Sequence, residues 1–220
     1  MLSEKERDEI VNWQRKRQEQ FRSIPTKGIV IEYFGRDLIV YKDAFIPCED
    51  SHALVENYEI LAGESVLDVC TGVGNLAVMS AYKGAKRVVC LDINPNAVRS
   101  AKANMRLHSL NVEVHLSDMF DSLPKERFDV ITGNFPFTNR PAHDFVEASQ
   151  WDEGLRTHKK FFSGVLKFLK PGGRVYLAQS DFGAFKEMIA MAEEAGFRVK
   201  NIGENAMLNG PGSFFAFELR

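Results

Sequence analysis

Cysteine is scarce in this chain. Cys48, Cys70 and Cys90 are the only three in 220 residues, and no two form a Cys-x-x-Cys pair. A disulfide scaffold or a structural zinc site is therefore not expected, and a reducing, cytoplasmic setting is. Long apolar runs are absent too. None approaches the roughly 20 residues of a membrane span, so no membrane partner is expected. The first ten residues, MLSEKERDEI, lack the apolar core of a signal peptide. Neither sign of charge prevails: 28 Lys and Arg against 30 Asp and Glu leave −2. A strong non-specific hold on nucleic-acid phosphate is not expected. His108, His115, His143 and His158 are scattered without metal-ligand spacing, so no metal site is expected.

What is present is ordinary for a folded domain. Apolar residues make up 45% and charged residues 26%, enough to bury the core of one α/β domain with a small appendage. Residues 4–22 form a charged helical pattern anchored by Ile10, Trp13 and Phe21. It reads either as a solvated helix packed on the domain, or as a substrate-side flap using Arg15, Lys16 and Arg17. Two β-rich runs, Ile29–Phe34 and Leu38–Tyr41, flank Gly35-Arg36-Asp37 and predict a hairpin. An Asp50-Ser51 N-cap then predicts a helix with Leu54, Tyr58 and Leu61 inward.

From residue 64 short apolar strands alternate with helices. Strands are predicted at Val66–Val69, Arg87–Leu91, Val112–Leu116, Phe128–Thr132 and Gly173–Ala178. Helices are predicted at Asn75–Tyr82, Pro95–His108 and Phe185–Ala195. Trp151, Leu155, His158, Phe162, Val165 and Leu169 fall on one face of a single long helix. Two strands close the chain over residues 197–219, joined by a turn at Asn209-Gly210-Pro211-Gly212, so the last returns antiparallel. The pattern predicts a mainly parallel sheet covered by helices on both faces. Residues 1–50 are expected to be an N-terminal helix and hairpin extension, and residues 51–220 the main domain.

Two loops carry the chemistry. Asp68-Val69-Cys70-Thr71-Gly72-Val73-Gly74-Asn75 ends a strand and opens a helix. Such loops sit where open α/β sheets bind ligands. Gly72 and Gly74 permit a sharp turn and close approach to the backbone. Asp92, 20 residues beyond Gly72, can accept from both hydroxyls of a ribose. The glycines with Ala77 also satisfy a dinucleotide pattern, so a methyl donor, a nicotinamide or flavin, or a bare turn all fit this loop. Asp68 favours the methyl donor. At the strand end it can anchor the loop and meet a cationic aminoacyl group, which a pyrophosphate ligand does not offer.

With these residues the chain resembles the class I S-adenosylmethionine-dependent methyltransferases. That family has a Rossmann-like, seven-stranded, mainly parallel sheet with an antiparallel last strand. The resemblance continues through Val88–Asn94 at the ribose end. It then reaches Ser117-Asp118-Met119-Phe120, where it implies that Asp118 accepts from the adenine amine. Donor binding is thereby implied for Asp68, Cys70, Thr71, Gly72, Gly74, Asn75, Asp92, Ile93, Asp118, Met119 and Asn134. The second loop, Asn134-Phe135-Pro136-Phe137, is similar to the Asn-Pro-Pro-Tyr/Phe loop of members that methylate planar nitrogens. These four residues are the expected catalytic set.

The chemistry matches the residue types. An amide or aryl amine nitrogen is a poor nucleophile because its lone pair is delocalised. Asn134 Oδ1 and the carbonyl of residue 135 can each accept one N–H and turn that lone pair toward the donor. Phe137 can stack on the planar acceptor. Phe135 departs from the usual proline. It places an extra aromatic ring at the site and permits a cis bond to Pro136. Cys70 departs from the common glycine. Upstream, Phe34–Tyr41 and Phe45–Ser51 resemble the segment leading into the HemK-type protein-glutamine methyltransferases and their base-modifying cousins. A helix and a hairpin stand where the bacterial release-factor enzymes carry a larger substrate-binding domain.

The resemblance implies S-adenosylmethionine as cofactor and direct in-line methyl transfer. The implied acceptor is a protein glutamine amide, an RNA base amine or a small molecule. Two other readings of the residues are an NAD(P)-dependent oxidoreductase on the same sheet and a non-catalytic partner subunit. His143-Asp144, just past the acceptor loop, is a further candidate for the substrate pocket.

Overall fold

The computed structural model describes residues 3–208 and 212–220. Helix α1, Glu4–Ser23, starts at Ser3, whose hydroxyl accepts from the backbone of Glu6 while the Glu6 carboxylate answers the Ser3 N–H. This reciprocal cap satisfies two donors that a helix start would otherwise leave open. A hairpin follows, β1 (Ile29–Tyr33) antiparallel to β2 (Arg36–Val40). Helix α2 spans Glu49–Asn57. It begins one residue before the expected Asp50-Ser51 cap, with Cys48 as N-cap. The Asp50 carboxylate folds back on the backbone N–H of Cys48 and Ser51. The helix stops where Tyr58 turns extended. Leu54 and Tyr58 are buried as expected, but Leu61, past the helix end, is exposed.

The remaining strands are β3 (Ser65–Val69), β4 (Arg87–Asp92), β5 (Val112–Leu116), β6 (Phe128–Asn134), β7 (Leu169–Ser180), β8 (Val199–Ala206) and β9 (Ser213–Leu219). They form one seven-stranded sheet in the order β5-β4-β3-β6-β7-β9-β8. The pairs from β5 through β7 are parallel, and β9 runs antiparallel between β7 and β8. Between them lie α3 (Asn75–Tyr82), α4 (Pro95–Leu107), the short α5 (Phe145–Ala148), α6 (Arg156–Gly164) and α7 (Phe185–Glu194).

Strand alternation sends neighbouring side chains to opposite faces. Val66, Val88 and Val130 pack with Leu54, Leu76 and Met105 from α2, α3 and α4. Leu67, Val89 and Ile131 pack with Phe161 and Met188 from α6 and α7. The expected architecture is present, with helices on both faces. The Asn209-Gly210-Pro211 part of the closing turn lies outside the described residues. Beside it Met207 N–H donates to the Gly212 carbonyl at 2.9 Å.

The single long helix over 151–169 is not formed. Gly154 (φ 64°) and Leu155 (φ 55°) are left-handed and break it. The Asp152 carboxylate receives the Thr157 N–H and so restarts the helix as α6. At its far end a Cβ on Gly164 would stand 2.9 Å from the Phe120 ring. Leu169 already belongs to β7. The apolar period survived because Leu155, Phe162, Val165 and Leu169 are still buried along a bent path.

Candidate active site

Every residue of the first loop is placed by backbone geometry that its sequence allows. Cys70 (φ 56°), Gly72 (φ 55°) and Gly74 (φ 84°) all take left-handed conformations. A Cβ on Gly72 would meet nothing within 4 Å, so the peptide there faces open space. Gly74 serves a different need: a Cβ would come within 2.8 Å of Met105 Cε and 3.3 Å of Ala101 Cα on α4. It lets α3 start hard against α4.

Asp68 is wholly buried at the end of β3. Its two oxygens accept from Thr71 Oγ1 (2.5 Å) and Thr132 Oγ1 (2.7 Å). Burial outweighs these bonds and pushes its carboxyl up to about 7. It ties the loop through Thr71 from beneath the cleft and, being off the wall, does not itself face a ligand, contrary to the expectation from the sequence. Asp92 ends β4 on the neighbouring side. Its Oδ2 accepts from Gly72 N–H (2.8 Å) and its Oδ1 from Asn94 N–H (2.8 Å). The Cys70 thiol is held neutral by burial, with the Asp92 and Asp68 charges adding to the effect.

These residues line one cleft of about 340 Å³ at the carboxyl ends of β3, β4 and β6. Of the expected donor residues, Cys70, Thr71, Gly72, Asn75, Asp92, Ile93, Asp118, Met119 and Asn134 all reach its wall. Asp68 and Gly74 stand behind it. Asp118 carries a feature the sequence did not signal. Its Oδ2 is paired with Arg156 and with Lys160 Nζ at 3.0 Å. Burial pushes its carboxyl up, but the bonds from Lys160 and Arg156 outweigh it and hold the carboxyl below the usual carboxylate range.

The Asn134–Phe137 loop meets the Asp68–Asn75 loop across this cleft. Asn134 ends β6, and its Nδ2 donates to Asp50 Oδ2 at 2.9 Å. A carboxylate can only accept, so this bond fixes which way the amide lies. Asn134 Oδ1 faces the other way, buried and without a hydrogen-bond partner. Unpaired buried acceptors are rare in folded proteins and call for a reason. Asp50 itself is buried, and the sequence marks it as an N-cap within the Phe45–Ser51 segment, without a role in the site.

Phe135 and Phe137 differ in their placement. The Phe135 ring folds back to within 5.4 Å of His158 and 4.8 Å of Phe161, centroid to centroid. It is 2% exposed, so most of the ring that replaces proline is core rather than site. Gly133 makes that possible, since a Cβ there would stand 2.5 Å from the ring. The bond to Pro136 is trans. Phe137 packs near Phe182 and Phe214 and lines the cleft. Its carbonyl receives Ala184 N–H at 2.8 Å, which pins the loop.

The roof of the cleft was only partly legible. Trp13 and Gln14 of α1 line it, as do Gln150 and Trp151. Gln14 bridges the roof, donating to Thr138 Oγ1 and accepting from Trp151 Nε1, each at 2.8 Å. The signal available was a helix whose inner stripe contains glutamines. Of the basic triplet, Arg17 is structural: it donates to the Ile46 carbonyl and lies 5.2 Å from the Phe21 ring. Asp144 of the His143-Asp144 pair caps α5 and bonds Arg22 at 2.7 Å. Neither of the pair lines the cleft.

A sheet of this order, with a ligand cleft over the β3 loop and an Asn-x-Pro-Phe loop opposite, defines a Rossmann-like methyltransferase. The chain belongs to the methyltransferase small domain family, whose sequence model matches residues 49–201. It is an S-adenosylmethionine-dependent methyltransferase. That membership removes the oxidoreductase reading.

A candidate protein N5-glutamine methyltransferase of Methanocaldococcus jannaschii is 31% identical over 178 residues, covering 78% of this chain and 90% of that one. The release factor glutamine methyltransferase of Koribacter versatilis is 31% identical over 64% of this chain, but this chain spans only 57% of it. In structure, a methyltransferase from Pyrococcus furiosus aligns with TM-score 0.68 at 17% identity over 93% of this chain and 96% of that one. The guanine-N2 methyltransferase of 16S ribosomal RNA from T. thermophilus, solved with AdoMet and guanosine, aligns with TM-score 0.62 at 20% identity. That alignment covers 87% of this chain and 49% of the other. Among the described residues no helix is long and apolar enough to cross a membrane.

Proposed function

We propose that this enzyme methylates a planar amide nitrogen, the side-chain amide of a protein glutamine. The observation that carries this reading is Asn134 Oδ1, a buried acceptor with no partner, oriented by Asp50 and set in the wall of the cleft.

The chain's own residues fit the donor. The cleft volume falls within the range of small-molecule sites. Gly72 leaves its peptide open to a ligand. Asp92, already fixed by two backbone N–H groups, keeps lone pairs for the hydroxyls of a ribose. Ile93 and Met119 offer apolar surface for an adenine, with Asp118 at its edge. When bound, the donor supplies an activated methyl group on a sulfonium.

The rest of the work belongs to the acceptor loop. Asn134 Oδ1 accepts one N–H of the substrate amide and the carbonyl of Phe135 accepts the other. Holding both hydrogens turns the nitrogen lone pair toward the donor side of the cleft. Phe137 supplies a face for the planar group. The same two oxygens, with the Asp50 carboxylate behind them, favour the positive charge that grows on nitrogen. Positioning then supplies much of the acceleration without a covalent intermediate. Residues 1–50 form the substrate side, through Trp13 and Gln14, and residues 51–220 the catalytic domain. The glutamine acceptor is supported by the archaeal relative named for that reaction and by the chain's net charge of −2, which does not favour RNA.

The test is Asn134→Ala. Affinity for S-adenosylhomocysteine, read by calorimetry, is expected to stay within about twofold. Tritiated methyl transfer into the protein fraction of a lysate is expected to fall about 100-fold or more, the usual effect of removing one transition-state hydrogen-bond partner. Unchanged transfer would contradict the reading.

A further inference from the structure

A second pocket of about 400 Å³ lies beside the cleft, between α1 and residues 140–147. Trp151 lines both, so one indole is the wall between them. The two cavities differ in what they leave unpaired. In the first the open groups include the Asn134 and Gln150 carbonyl oxygens, which accept. In the second they are donors. Gln18 is 2% exposed, and its Nε2 has no partner. Arg140 Nε is buried and likewise unpaired, with its guanidinium 5.3 Å from the Trp151 ring.

Charge points the same way. Arg22 is neutralised by Asp144 at 2.7 Å and Glu147 at 3.8 Å. Among the described residues neither Arg15 nor Arg140 forms an ion pair, though both line the pocket. Counted with Asp144, which holds Arg22, the three arginines face three carboxylates, so the charge balances, while among the described residues Arg15 and Arg140 are left without a contact ion pair. Buried donors without acceptors are costly, and donors on charged groups most of all. A group bearing two acceptor oxygens satisfies both donors.

We propose that this pocket binds the carboxylate of an acidic residue lying close in sequence to the acceptor glutamine. The inference rests on the peptide-amide reading of the neighbouring cleft. A polypeptide with its amide in the cleft passes its next residues over Trp151 and into reach of Arg15, Gln18 and Arg140. With Glu19 and Glu147 also lining the pocket, a singly charged carboxylate suits it better than a phosphate dianion or a nucleic-acid strand.

The test needs no methyl transfer, so its failure is separable from failure of the acceptor reading. The full chain, labelled with nitrogen-15, is titrated with N-acetyl-glutamate N-methylamide, N-acetyl-glutamine N-methylamide and inorganic phosphate. The Gln18 side-chain amide and the Arg140 Nε–H are followed by NMR. The glutamate derivative is expected to shift both Gln18 and Arg140 signals in a saturable way, and the glutamine derivative is not. In Arg15→Gln, an exposed position that leaves the fold intact, affinity for the glutamate derivative is expected to weaken roughly fivefold or more. Arg140→Gln is expected to do the same at the Gln18 signal. No saturable shift, equal response to both derivatives, tighter binding of phosphate, or undiminished affinity in both variants would each overturn the proposal.

Discussion

Asp68 holds a buried carboxylate between two hydroxyls and, among the described residues, forms no ion pair. Burial raises its carboxyl from an ordinary 3.8 to about 7. Between those values the folded chain keeps a proton that the unfolded chain has released. Its contribution to stability is therefore fully present below about pH 4 and is lost as pH rises through about 7. Asp68→Asn resembles the protonated acid and has no such dependence. Urea unfolding at several pH values is expected to show the variant gaining on the wild type as pH rises from 4 to 8. Parallel curves would contradict this.

The same residue shows how legibility varied within the site. The Asp68–Gly74 spacing was readable because Gly72 and Gly74 take left-handed conformations and Asp68 binds Thr71 three residues on. Asp50 was not, because a carboxylate that orients an amide 84 positions away leaves only a local capping pattern in the sequence. Phe135 was readable as a departure, but the fate of its ring depended on the room made by Gly133 and on Phe161.

At the level of elements, α3 and α4 touch through Gly74. Two penalties coincide there: a left-handed backbone, and a Cβ position 3.3 Å from Ala101 Cα and 2.8 Å from Met105 Cε, where α4 has to give by a few tenths of an ångström. Gly74→Ala is expected to cost about 2–4 kcal/mol, combining strain and overpacking. Gly72→Ala meets only the backbone penalty, since nothing lies within 4 Å, and is expected to cost about 1–2 kcal/mol. Denaturant midpoints check the order, and the reverse order would contradict the packing argument. Strands and most helices were legible because burial on two faces leaves a clear period. The broken helix at 154–155 was not, because its residues keep a helical spacing while two left-handed dihedrals redirect the chain. The placing of β9 between β7 and β8 was also hidden. An antiparallel return was visible in the sequence, but its neighbour depends on long-range pairing.

Across the whole molecule, the strand order reverses beside β3, with β4 on one side and β6 on the other. Open α/β sheets bind ligands at such a point. Here it brings the Asp68–Asn75 loop after β3, Asp92 of β4 and the Asn134–Phe137 loop of β6 around one cleft. The N-terminal helix completes the roof with Trp13 and Gln14, so the appendage and the sheet share the site. The most direct measurement is tritiated methyl transfer by the full chain into a lysate fractionated into protein, RNA and small molecules, followed by acid hydrolysis of the labelled fraction. The account expects label in protein, released as methylamine from a glutamine side chain. Label confined to RNA or to small molecules, or held on carbon or oxygen in protein, would contradict it.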